Sequence, residues 1–205
     1  MRIVIGIPMY GGAHGLAVRS LLSLQNRLIE NHIVEFDIVV NGANLPKVRN
    51  GIVERFLDGE SDVLVFIDSD MVFSAEDIEK IATAPFDVSV INYRKKCQET
   101  QWNATGSMGL VHNGDNWLKT ELAGTGLMAM SREALKTVKA AHPFPFEFTV
   151  ADGLEVGEDY TFCKRLTALG GQIFILADAY AAHIGDTYYG GNYHDYLKGQ
   201  SNGIS

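Results

Sequence analysis

The chain has 205 residues, 46% of them hydrophobic and 20% charged, with a formal net charge of -8 at pH 7. That length suits one domain, and that much apolar residue builds a real core, which excludes a disordered chain and a disulfide-stapled mini-protein. The acidity argues against a nucleic-acid partner and against an anionic membrane surface; a phosphorylated ligand would need local positive charge, which a divalent cation held by carboxylates would supply.

Cys97 and Cys163 stand far apart in no metal-like spacing and read as reduced thiols. The opening run MRIVIGIPMY does not read as a signal peptide, and no apolar stretch is long enough to span a membrane. The expectation is a cytoplasmic protein with no integral membrane segment.

Residues 2–8, rich in Ile and Val, read as a strand buried on both faces, followed by a Gly-containing turn over 10–15. Leu16, Leu21, Leu22, Leu24, Leu28 and Ile29 recur at helical spacing. Residues 33–40 form a second strand that ends at the turn signal Asn41-Gly42. A helix follows over 48–57, with Ile52, Val53, Phe56 and Leu57 on one side. Residues 63–67 are a third, buried strand. Ser74 starts a helix running to 82, with Asp77 in the N3 position of a capping-box-like opening. Residues 86–91 are a fourth strand. This alternation predicts a mostly parallel sheet with right-handed crossovers and a ligand outside the carboxyl ends of its strands.

The second half is less regular. Residues 93–116 read as loop with short strands, 127–130 as a short strand, and Ser131 as the start of a helix. Pro143 and Pro145 break the chain. Residues 159–169 read as a helix stopped by Gly170-Gly171, 173–176 as a strand, and the tail from Gly185, rich in Tyr and Gly, has the composition of a lid. Met128, Met130 and Cys163 read as core. With no repeat, low-complexity tract or linker, the chain reads as one domain over 1–205, with a ligand-binding half over 1–92 and a second half over 93–205.

The strongest local signal is the hydrophobic strand ending in Asp68-Ser69-Asp70. Side chains two apart in a strand point the same way, so both carboxylates reach one point. Packed together they resist ionising unless a cation or donors are present, and a hard divalent cation is the natural partner. Two enzyme classes carry such a pair. Haloacid-dehalogenase-like phosphatases have D-x-D-x-T/V, which Asp68-Ser69-Asp70-Met71-Val72 fits, with the first Asp a nucleophile toward phosphate. Their motif lies on the first strand of the domain, whereas here two strand-helix units come first. A later acidic motif of the phosphatase kind is also missing.

The alternative is a resemblance to glycosyltransferases of the GT-A fold, similar to small bacterial and viral members. It runs along nearly the whole chain as short motifs in order: Ile5-Gly6-Ile7-Pro8-Met9-Tyr10, Arg49-Asn50, Phe66-Ile67-Asp68-Ser69-Asp70-Met71, Ala123-Gly124-Thr125-Gly126-Leu127-Met128, Gly157-Glu158-Asp159-Tyr160, and His183 before Gly185. The resemblance implies a single α/β domain of Rossmann-like type, with a small antiparallel portion in its second half. It implies transfer of a sugar from a nucleotide-diphosphate sugar, a UDP-sugar foremost, to a glycan or other hydroxyl acceptor with inversion. By the same resemblance Pro8, Tyr10, Arg49, Asp68, Ser69 and Asp70 bind the nucleotide. Gly124, Thr125 and Gly126 lie on the acceptor side. Asp68, Asp70 and His183 surround Mn2+ or Mg2+, and Asp159, with Glu158 as its rival, is the catalytic base. Arg94, Lys95 and Lys96 follow the fourth strand at its ligand-side end, where they can meet a diphosphate or water. A third reading keeps the fold without the chemistry, as a nucleotide- or carbohydrate-binding domain.

Overall fold

A computed structural model describes residues 1–104, 110–112, 116–185 and 187–201 of the chain. In chain order the elements are β1 (Arg2–Met9), α1 (Gly15–Leu28), β2 (Ile33–Val40), α2 (Leu45–Asp58), β3 (Val63–Ile67), β4 (Met71–Phe73), α3 (Ala75–Thr83), β5 (Val88–Val90), β6 (Leu110–His112), β7 (Asn116–Thr120), β8 (Leu127–Ser131), α4 (Arg132–Ala141), β9 (Thr149–Ala151), β10 (Leu154–Val156), α5 (Glu158–Ala168), β11 (Ile173–Leu176), β12 (Tyr180–Ile184), β13 (Tyr188–Asn192) and α6 (Tyr193–Ser201). Of the irregular stretch 93–116, residues 105–109 and 113–115 lie outside the described residues, as does Asp186 in the tail.

The central sheet runs in the order β2-β1-β3-β8-β5-β11-β7-β6. β1 pairs parallel with β2 and β3, and β11 pairs parallel with β5. β8 enters antiparallel between β3 and β5, and β7 lies antiparallel between β11 and β6. Most strands therefore share one direction, as the alternation of the first half predicts. A small antiparallel sheet, β13-β12-β4, and the β9–β10 hairpin complete the antiparallel portion.

The period-two alternation of the strands divides the core between the two faces. Ile3, Ile5 and Ile7 of β1 and Val63, Val65 and Ile67 of β3 pack on one face with Leu24, Leu28, Ile78 and Ile81 from α1 and α3. Val4, Leu64 and Phe66 face the other way, onto Ile52, Val53 and Phe56 of α2 and residues of α4 and α5. Each such buried aliphatic or aromatic side chain contributes about 1.5–3 kcal/mol. α2 lies so close to β1 that a Cβ on Gly6 would stand 2.9 Å from Ile52 Cγ2.

The helix ends follow local chemistry with one exception. Ser131 Oγ accepts from the Ala134 amide at 3.1 Å, and Gly170 takes φ +88° to end α5, whose last carbonyls are met by the Gly170 and Gly171 amides. Ser74 occupies the N-cap of α3 but makes no side-chain capping bond, so the expected capping box is not formed. α2 begins three residues before the expected start, with Asn44 Oδ1 accepting from the Lys47 amide and Pro46 in its first turn. Of the expected periodic set Leu16, Leu22 and Ile29 are exposed, while Leu24 and Leu28 are buried together with Ala17 and Ser20.

The tail is not a loose segment. β13 pairs along β12, and α6 sets Tyr193 against Trp102, ring centroids 4.9 Å apart, with Tyr196 beside them. Of its tyrosines Tyr193 is core, Tyr189 and Tyr196 are half-buried, and Tyr188 is exposed.

Candidate active site

The carboxyl ends of β1, β3 and β5 point to one end of the sheet, and the amino end of the reversed strand β8 meets them there. Asp68 follows β3, and its amide donates to the Gly126 carbonyl at 3.0 Å. The chain then turns at once into β4, whose Met71 lies opposite His183 of β12. The Ile184 amide donates to the Asp70 carbonyl at 2.9 Å, which fixes Asp70 beside His183.

The two carboxylates of the pair have different partners. Asp68 Oδ1 accepts from Arg49 Nη2 at 3.1 Å, while Arg49 Nε donates to Glu158 Oε1 at 3.4 Å. Arg49 is 2% exposed and lies over the Phe66 ring, 5.2 Å from its centroid. Burial alone would lower the Arg49 pKa, but Asp68 and Glu158 outweigh it and hold the guanidinium charged above its ordinary range. Its Nη1 is buried without a hydrogen-bond partner.

Asp70 faces the other way. Its Oδ2 meets Lys96 Nζ at 2.5 Å, and its Oδ1 lies 3.4 Å from His183 Nε2. Burial alone would raise the Asp70 carboxyl, but His183 and Lys96 overcome this and hold it at about 2. Oδ1 is buried and has no aligned hydrogen bond. His183 Nδ1 lies 3.3 Å from the Arg94 carbonyl, an acceptor only, so Nδ1 carries the hydrogen of that contact. Nε2 is the nitrogen left to face Asp70. A buried carboxylate oxygen without a hydrogen bond beside an imidazole nitrogen suits a divalent cation such as Mn2+. Among the described residues no three His, Cys, Asp or Glu side chains stand close enough to hold an ion. The expected triad is thus brought together in part: Asp70 and His183 meet, while Asp68 is drawn toward Arg49.

Tyr93 joins these groups, and sequence reasoning missed it. Its ring meets His183 edge-on at 5.4 Å, and its hydroxyl accepts from the Gly126 amide at 3.0 Å. Burial, followed by the charge of Asp68 and then that of Asp159, pushes the phenol well up, so it stays neutral. A Cβ on either Gly124 or Gly126 would come within 2.6 Å of the Tyr93 hydroxyl. The close approach these glycines permit is made by Tyr93, and Gly124, Thr125 and Gly126 are all buried. The one signal for Tyr93 was its place, directly after a strand on the ligand side.

Asp159 stands in the first turn of α5, its Oδ1 accepting from the Tyr160 amide at 2.7 Å. Burial, then the neighbouring charge of Glu158, pushes its carboxyl up to about 6. A carboxylate there is still ionised at neutral pH yet basic enough to take a proton. Of the other expected residues, Tyr10 is 74% exposed at the end of β1 and open to a ligand. Pro8 is buried within β1, opposite Val39. Ser69 is partly buried, and its carbonyl accepts from the His14 amide at 3.2 Å. Asn50 holds the chain between α4 and β9, exchanging bonds of 2.7 and 3.0 Å with the Phe146 carbonyl and amide.

By sequence the chain matches no protein-family model and no curated protein. By structure it is similar to A197 from STIV, with a TM-score of 0.61 and 19% identity over 91% of this chain and 87% of that one. It is also similar to S. aureus TarS 1-349 (TM-score 0.51, 16% identity, 87% of this chain and 58% of that one). GalNAc-T7, solved with UDP, GalNAc and Mn2+, gives a TM-score of 0.53 at 11% identity over 89% of this chain and 44% of that one. The chain therefore spans under two thirds of the TarS and GalNAc-T7 chains. At such identities the likeness is one of fold, and the fold of this chain is of the GT-A, Rossmann-like type.

Proposed function

We propose that this protein is a metal-dependent glycosyltransferase that moves a sugar from a nucleoside-diphosphate sugar, a UDP-sugar foremost, to a hydroxyl of a glycan or other acceptor, with inversion. The observation that carries the reading is the company around Tyr93: Asp70 and His183 with a buried carboxylate oxygen lacking a hydrogen bond on one side, and Asp159 with its carboxyl raised to about 6 on the other. Support for the donor comes from TarS, solved in complex with UDP-GlcNAc, and support for the metal from GalNAc-T7 with UDP and Mn2+.

Asp70 and His183 would hold the metal, and Asp68, with Oδ1 on Arg49, would have Oδ2 left to offer it. A divalent ion held there would supply charge compensation for the departing diphosphate. Tyr10, Pro8, Arg49 and Ser69 border the nucleotide, and Gly124, Thr125 and Gly126 border the acceptor. Asp159 takes the acceptor proton as the acceptor oxygen bonds the anomeric carbon and the nucleoside diphosphate leaves from the opposite face. The compartment that suits two unpaired thiols, Cys97 and Cys163, is the cytoplasm. No helix among the described residues is long and apolar enough to cross a membrane.

Calorimetry with UDP and Mn2+ tests the reading. Asp70→Asn should weaken UDP binding at least about tenfold, or about 1.4 kcal/mol. Equal wild-type affinity with and without Mn2+ would overturn the metal dependence. The anomeric configuration of the product, read by NMR, separates inversion from retention. A phosphatase acting through Asp68 gains no support from a fold in which one Asp68 oxygen is tied to a buried arginine.

A further inference from the structure

Lys96 holds one oxygen of Asp70, beside the oxygen that would take a metal. Its ammonium lies on Asp70 Oδ2, and its stem passes Gly185 in the turn between β12 and β13, where a Cβ would meet Lys96 Cδ at 3.1 Å. The segment carrying it is closed at its base: Arg94 bridges Trp102, and the Lys95 amide donates to the Gln101 carbonyl at 2.8 Å. Its side chain is 37% exposed, so the ammonium can swing toward solvent without unpacking the core. A lysine is a compact charge on a flexible stem with three donors, suited to moving between oxygen ligands. A dication on Asp70 Oδ1 beside His183 and an ammonium on Oδ2 of the same carboxylate stand close enough to repel each other strongly.

We infer that Lys96 is the resident counter-cation of Asp70, that a divalent metal displaces it, and that the displaced ammonium then binds the diphosphate of the donor. The inference rests on the metal-dependent reading above. It makes metal and nucleotide mutually dependent: the ion alone must evict the lysine, whereas with nucleotide present the lysine has a second anion to move to. By linkage, each ligand then tightens the other by the same factor.

The test uses Lys96→Met, which keeps the stem beside Gly185 and removes the charge. Lys96→Arg keeps the charge. Binding of Mn2+ alone is read from the loss of the free-ion EPR signal, and UDP binding at saturating Mn2+ by calorimetry. Lys96→Met should bind Mn2+ alone at least about tenfold more tightly than wild type, and UDP at least about tenfold more weakly. Lys96→Arg should keep the weak wild-type affinity for Mn2+ alone. An affinity for Mn2+ that is unchanged or weaker in Lys96→Met, or a UDP affinity that is unchanged, overturns the exchange. If wild type binds both ligands and Lys96→Met behaves like it, only the role of Lys96 falls. If wild type binds neither, the metal-dependent reading falls with it.

Discussion

Asp159 and Glu158 are neighbours in sequence with opposite surroundings. On a helix they diverge by about 100°, and Glu158 turns inward to the buried Arg49 while Asp159 stays partly exposed with its carboxyl pushed up to about 6. Their substitutions should separate accordingly. Asp159→Asn should lower transfer by roughly two to four orders of magnitude with donor binding kept, measured by initial rates and calorimetry. It should also stabilise the protein at neutral pH. The folded carboxyl titrates near 6 and the unfolded one near about 3.9, so ionisation inside the fold is the unfavourable state. Wild-type stability on this account falls as pH rises from about 4 to about 6. The variant should gain of order 2 kcal/mol above that window and nothing below it, read from melting curves at pH 4 and pH 7.5. Glu158→Gln should instead cost about 1–3 kcal/mol, because it takes one of two anions from a buried guanidinium. A variant pair that loses stability equally would make Asp159 a helix cap and no base.

At the level of elements, the clearest prediction concerns Arg132. Its guanidinium donates to the Phe56, Leu57 and Ser61 carbonyls at 2.7, 3.1 and 2.5 Å and lies over the Phe56 ring, so it caps the end of α2 from the first residue of α4. Arg132→Ala should cost about 2–4 kcal/mol by chemical denaturation, since partly buried carbonyls lose their donors. Lysine, without the planar fork, should recover under half of that. What could be read in advance follows the length of the apolar pattern. The helices α1 and α2 and the buried strands β1 and β3 were legible because each carries its own apolar pattern. The three-residue strands β4, β9 and β10 were not, since each is held by its partner strand rather than by its own pattern. β13 contains Gly190 and Gly191 and no apolar run, so only its register on β12 makes it a strand. In the site, the Asp68–Asp70 pair was legible because both residues are local. The division of its partners was not, because Arg49, Lys96 and His183 reach it from three other parts of the chain.

For the whole molecule, residue 92 does not separate two folding units. β8 belongs to the second half yet lies between β3 and β5 of the first, with Leu127 opposite Ile67 and Met130 opposite both Leu64 and Val88. Without it, two strands that are buried on both faces expose an edge each. A fragment of residues 1–92 should therefore show no cooperative thermal transition and few dispersed amide signals by NMR. A folded, monomeric fragment would contradict this.

The inserted strand also orders events in time. As the chain leaves a ribosome, β1 can find β2 and then β3 while synthesis continues, each by a local crossover. The slot beside β3 stays open until residue 131 has emerged, because β8 pairs there over a separation of 60 residues or more, from Ile67 with Leu127 outward. Closing so long a loop comes late and slows folding. During that interval Val63–Ile67, apolar at every position, presents an unpaired edge to any other nascent chain. The length of synthesis between β3 and β8 is thus the window in which this protein needs protection from its neighbours.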